Sequence, residues 1–162
     1  GQCWNTYSLY RLIMPRLGLF NTASKFRSRK PKRLLFAHFT SDTASFTGNL
    51  TNANVSASGG SLLVIPSAGD GYAHRTLTVE ASTKYHIRIK KVVSTASTGK
   101  LTLTVGTSAG ATDLLSLLTP DNQYYSGSFT TGGSTTTVHI GLMVEVSSQI
   151  CYWDDLLVET WD

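Results

Sequence analysis

The chain has 162 residues and a mass of 17.5 kDa, the size of one domain, with 41% hydrophobic and only 15% charged residues. Its 19 Ser and 22 Thr make up a quarter of the sequence, which favours strands and turns over long helices and excludes a coiled coil, a collagen-like chain and a charge-rich disordered protein. The formal charge of +4 joins two unlike parts: residues 1–41 carry eight Lys/Arg and no acid, a net +8, while residues 42–162 carry six Lys/Arg and ten Asp/Glu, a net −4.

Residues 1–33 read as a basic N-terminal arm. Leu9 to Met14 form one short apolar stretch that Pro15 stops. Arg11, Pro15 and Arg16 interrupt it, so no secretory core is expected, and no run approaches the ~18 apolar residues of a membrane span. The run Lys25-Phe26-Arg27-Ser28-Arg29-Lys30-Pro31-Lys32-Arg33 cannot bury its charges and should not fold alone. Cys3 and Cys151 do not make a disulfide scaffold and read as free thiols.

From Leu34 the apolar period is two, and residues 34–162 read as one β-sandwich domain. Expected strands are Leu34–Phe39, Asn54–Ala57, Ser61–Ile65, Tyr72–Val79, Tyr85–Lys90, Leu101–Val105, Gln123–Thr130, Val138–Val146 and Ile150–Thr160. Leu114–Leu118 is strand or irregular. Turn signals separate them, such as Ser58-Gly59-Gly60, Ala68-Gly69-Asp70-Gly71 and Thr131-Gly132-Gly133. Nine or ten strands at this spacing make an antiparallel sandwich or barrel.

The chemical motifs favour binding over catalysis. Gly106-Thr107-Ser108-Ala109-Gly110 matches a nucleophile elbow, but that elbow needs a strand, a strained turn and a helix, so Ser108 reads as part of a hairpin-type turn. His38, His74, His86 and His139 have no metal-ligand spacing; His86 and His139 fall on wet strand faces, while His74 beside a Gly-rich turn is a candidate ligand contact. Asp154 and Asp155 are adjacent in a strand and point to opposite faces, so both can serve one site only across a bulge. Tyr72, Tyr124, Tyr125, Trp153 and Trp161 suit either a sugar-stacking platform or core and rim packing. The basic run suits phosphate neutralisation or docking on an acidic protein surface. The latter is favoured because the body shows no further basic stripe and no interleaved rings for base stacking.

The body resembles the jelly-roll, carbohydrate-binding-module-like domains of bacterial glycosidases and phage virion proteins. The resemblance rests on an ordered set of segments covering about three quarters of the chain: Leu34-Leu35-Phe36-Ala37-His38-Phe39, Ser58-Gly59-Gly60-Ser61-Leu62-Leu63-Val64, Val79-Glu80-Ala81-Ser82-Thr83-Lys84-Tyr85, Tyr125-Ser126-Gly127-Ser128-Phe129-Thr130 and Cys151-Tyr152-Trp153-Asp154-Asp155-Leu156-Leu157-Val158. It implies an antiparallel jelly-roll β-sandwich without catalysis. Many such domains hold a structural calcium between an acid near the first strand and an Asp of the last; Asp154 or Asp155 matches the second position, while His38-Phe39-Thr40 stands at the first.

Met14-Pro15-Arg16-Leu17-Gly18-Leu19 with its basic segment resembles the starts of small tailed-phage structural proteins. That resemblance implies a virion protein, foremost a capsid decoration or cement protein, forming a homo-oligomer in the particle. It would dock on major capsid or neck and tail proteins through Trp4, Tyr7, Leu9, Arg11, Leu12, Ile13, Arg16, Lys25, Arg27, Arg29, Lys30, Lys32 and Arg33. The alternatives are a glycan-binding adhesin or tail or neck fibre component that recognises a cell-surface glycan through Tyr72, His74, Arg75, Tyr124 and Tyr125 on loops at one end, and a protein whose arm binds nucleic acid.

Overall fold

The computed structural model describes residues 30–48, 53–67, 69–93, 100–119, 123–145 and 151–161. Ten strands lie among them: β1 (Pro31–Ala37), β2 (Ala53–Ser58), β3 (Ser61–Pro66), β4 (Gly71–Thr78), β5 (Lys84–Val93), β6 (Lys100–Gly106), β7 (Leu115–Leu118), β8 (Tyr124–Thr130), β9 (Thr137–Glu145) and β10 (Cys151–Trp161). All pairings are antiparallel. No helix of the described residues is long and apolar enough to cross a membrane.

The strands form two facing sheets. The larger has the order β2-β3-β10-β5-β8, with β1 also on β10; the smaller has the order β4-β9-β6-β7. After the β2–β3 hairpin the chain changes sheet at almost every step, and only β6 and β7 follow one another in the same sheet. This is the antiparallel jelly-roll sandwich. β1 begins at Pro31, so Pro31, Lys32 and Arg33, read from sequence as arm, are strand residues. Lys32 pairs with Glu80 at 2.6 Å, and the Arg33 guanidinium lies 5.5 Å from the Phe36 ring.

The period of two builds the core directly. Tyr85, Ile87 and Ile89 of β5 and Trp153, Leu156 and Val158 of β10 face Leu101, Leu103 and Val105 of β6 and Val138, Ile140, Leu142 and Val144 of β9, all buried. Tyr125 turns inward beside Ile89 and packs on this core.

β10 is the hub of the larger sheet. One edge pairs with β5 along most of its length. The other edge is shared: Cys151–Trp153 pair with β3, and residues from Leu156 pair with β1. Between these two partners β10 carries a register shift against β5 between Asp154 and Leu157, with Asp155 at φ 50°. This is a β-bulge, where one strand holds an extra residue opposite its neighbour.

Because Trp153 is fully buried beside this junction, Trp153→Ala should lower stability by about 3–5 kcal/mol. Urea unfolding followed by Tyr fluorescence checks this, and a loss under about 1 kcal/mol would contradict the packing described.

Candidate functional site

The bulge gathers a polar cluster on the larger sheet. His38, just past β1, places Nδ1 2.6 Å from Asp155 Oδ1; the Tyr124 hydroxyl of β8 donates to Asp155 Oδ2; and the Asp155 backbone N–H donates to Asp154 Oδ1 at 2.7 Å. Strand alternation alone would separate Asp154 and Asp155; the extra residue brings both carboxylates to one site. The Tyr124 hydroxyl bond is the largest cause holding the Asp155 carboxyl below the ordinary aspartate range; partial burial opposes it and His38 adds to it. The same bond pushes the Tyr124 phenol up.

His38, Asp154 and Asp155 place ligand atoms within 4.8 Å of one another. They do not fit the calcium of the resembled domains. Calcium takes six to eight oxygens, whereas this cluster supplies an imidazole and two carboxylates, with both Asp155 oxygens engaged by His38 and Tyr124.

The proposed glycan residues do not meet at one end. Tyr72 and His74 stand on the outer face of β4 in the smaller sheet, while Tyr124 stands on the outer face of β8 in the larger. Tyr125 faces inward. Arg75 alternates with His74 and serves structure: its Nη1 donates to the Ala44 carbonyl at 2.6 Å and its guanidinium lies 5.9 Å from the Phe46 ring. It thereby pins residues 39–48, where Phe39 and Phe46 are buried and Thr47 bridges to His74. Of the docking candidates, Trp4, Tyr7, Leu9, Arg11, Leu12, Ile13, Arg16, Lys25, Arg27 and Arg29 lie outside the described residues. Lys30 is exposed, and Lys32 and Arg33 belong to β1.

The outer face of the smaller sheet holds a cleft of about 380 Å³, lined by Asp70, Tyr72, Thr104, Ala109, Gly110, Thr112 and Met143. Register builds it: Tyr72 lies opposite Met143, which lies opposite Thr102, and His74 lies opposite Gly141, which lies opposite Thr104. Gly141 is required because a Cβ there would stand 1.9 Å from the Tyr72 hydroxyl. Tyr72 crosses that gap so that its hydroxyl lies 3.2 Å from Thr104 Oγ1 and accepts from the Gly110 N–H at 3.2 Å.

The β6–β7 hairpin loop that carries Gly110 is itself held, since Asp113 accepts from both the backbone N–H and the hydroxyl of Thr107. Ser108 lies exposed in this loop, a hairpin turn without the helix of a nucleophile elbow. Beside the cleft His74 stacks between Tyr72 and His139, at ring distances of 6.1 and 6.5 Å. Burial and then the neighbouring His139 lower the His74 pKa, against a raising contact from the Thr47 backbone, so the imidazole is neutral at neutral pH.

Sequence reasoning missed a row of charge. Lys84, His86, Arg88 and Lys90 alternate with the buried Tyr85, Ile87 and Ile89, so they share the outer face of β5. The body therefore does carry a basic stripe. The signal was the same alternation that identified the strand, with the wet positions read only as solvated.

No protein-family model matches the sequence, and no curated protein matches it. Solved structures do match in fold. The CBM22-1 xylan-binding domain of Paenibacillus barcinonensis Xyn10C aligns with a TM-score of 0.57 at 14% identity, over 83% of this chain and 98% of that one. The CBM22-1–GH10 modules of Clostridium thermocellum xylanase 10B, complexed with xylohexaose, align with a TM-score of 0.59 at 9% identity, over 78% of this chain and 28% of that one. TmCBM61 in complex with β-1,4-galactotriose aligns with a TM-score of 0.53 at 12% identity, over 78% and 97%. The fold is thus that of the carbohydrate-binding-module jelly rolls. This chain spans about a quarter of the xylanase chain it matches.

The depressed Asp155 carboxyl contributes stability that is complete above the ordinary aspartate pKa of about 4 and is lost as pH falls through its lower folded value. Asp155→Asn should therefore lower Tm at neutral pH, with the difference from the wild type shrinking as pH falls below about 4. Calorimetry across that range checks it; a difference independent of pH would contradict the role given to the carboxylate.

Proposed function

We propose that the chain is a non-catalytic glycan-binding module whose site is the cleft on the outer face of the four-stranded sheet, and that it takes a neutral, linear oligosaccharide. The observation that carries this reading is the lining. The cleft offers the exposed Asp70 carboxylate and Thr112 hydroxyl over a floor of Tyr72, Thr104 and the thioether of Met143, and none of the described residues lining it is cationic. A sugar ring needs this mixture: acceptors and donors for its hydroxyls over an apolar floor. The Tyr72–Thr104–Gly110 bonds hold the floor in one arrangement before any ligand arrives, so little ordering is left to oppose binding.

The comparison structures support the same class of ligand, since they are named as xylan-binding or complexed with xylohexaose or β-1,4-galactotriose. A role in virion assembly depends on the docking arm, most of which lies outside the described residues, and no feature of the described sandwich favours it over glycan binding.

Asp70 is exposed at the rim of the cleft, so Asp70→Ala should leave Tm unchanged. Loss of a charged acceptor to sugar hydroxyls should weaken binding of xylo-oligosaccharides or β-1,4-galacto-oligosaccharides about tenfold or more. Isothermal titration calorimetry against both series checks this. Absence of binding by the wild-type chain to either series, or equal binding by the variant, would overturn the assignment of this cleft.

A further inference from the structure

The outer face of the six-stranded sheet carries chemistry that the cleft does not use. Lys84, His86, Arg88 and Lys90 stand in one outward row on β5. Alternate residues of a strand are spaced by roughly 6–7 Å, so the row is about 20 Å long. Beside it runs a groove of about 510 Å³, lined chiefly by His86, Arg88, Ser126, Leu157, Glu159 and Trp161. Trp161 at one end is 50% exposed. Arg88 is pre-set: its guanidinium lies 5.1 Å from the Tyr124 ring, and that ring is anchored through its hydroxyl on Asp155. Among the described residues Arg88 forms no ion pair. Ser128 Oγ engages His86 Nδ1 at 2.9 Å.

We infer that this groove is a second binding site, for a polysaccharide that bears uronate carboxylates. A planar guanidinium held without a carboxylate partner matches such a group with two parallel hydrogen bonds. The open Trp161 ring is a flat apolar surface for one face of a pyranose. Glu159 and Ser126 accept hydroxyl protons from the same chain.

A single-stranded nucleic acid fits less well. It needs successive open rings for its bases, yet the face of Tyr124 is already covered by Arg88 and Lys90, at 5.1 and 5.7 Å. The choice of a glycan rests on the module reading above; the choice of an acidic one rests on this face alone.

The test uses the full chain titrated with short oligogalacturonates by calorimetry. The wild type should bind, more weakly as salt rises. Arg88→Gln and Trp161→Ala, both at exposed positions, should each weaken binding about tenfold or more, while Asp70→Ala in the opposite cleft should not. Wild-type affinity in both groove variants would overturn the proposal. Single-stranded DNA that binds through Arg88 and displaces the oligogalacturonate at lower concentration would overturn it in favour of nucleic acid. Loss of neutral-glycan binding in Asp70→Ala with oligogalacturonate binding intact bears on the first site alone, and so supports the independence of the two faces.

Discussion

Everything on the larger sheet depends on one strand sharing its edge between two partners. β10 pairs with β3 through its first residues and with β1 through its last, and where it changes partner its other edge carries an extra residue against β5. There Asp155 adopts a left-handed conformation at φ 50°, a cost that the surrounding contacts must offset. His38 comes from the end of β1, Tyr124 from β8 and the Asp154 carboxylate from the preceding residue. The bulge is thus tied to β1, β8 and its own strand. In holding Tyr124 it also fixes the ring on which Arg88 and Lys90 rest. A local irregularity in pairing becomes the organiser of a whole sheet face.

The two outer faces then differ in charge because of which strands they contain. On the smaller sheet the outward positions beside the cleft are Tyr72 and His74 of β4, Thr102 and Thr104 of β6 and Gly141 and Met143 of β9, and the space left at Gly141 lets Tyr72 reach Thr104 and lock the cleft. On the larger sheet the outward row of β5 is basic. One face offers hydroxyls and the Asp70 carboxylate beside a largely apolar floor; the other offers cations beside an exposed indole. The buried core lies between the two faces, so the two proposed sites are physically separate.

Much of this was legible in the residues. The alternations Ile87-Ile89, Leu101-Leu103-Val105 and Val138-Ile140-Leu142-Val144 identify strands with one buried face, and all lie in strands of the core. Even Leu115–Leu118, too short to assign by pattern alone, is a strand because β6 provides its partner. The site was less legible, for a physical reason. Alternation tells which residues share a face of one strand, but not which sheet that strand joins. Tyr72 and Tyr124 therefore read as one platform although they stand on opposite sheets. The meeting of Asp154 and Asp155 was hidden because it arises from the bulge of β10 against β5, a property of pairing between strands far apart in sequence. The β5 row was written plainly as His86, Arg88 and Lys90 alternating with Ile87 and Ile89, yet a wet face reads as solvent-facing until a groove is found beside it.

The central claim is that a neutral glycan binds on the outer face of the four-stranded sheet. Amide chemical-shift mapping of the ¹⁵N-labelled chain during titration with xylohexaose tests it most directly. The account predicts saturable shifts at Tyr72, Thr104, Gly110 and Gly141, with the amides of β5 and β8 unmoved. Shifts confined to the larger sheet or to residues before Pro31, or none at saturating sugar, would contradict it.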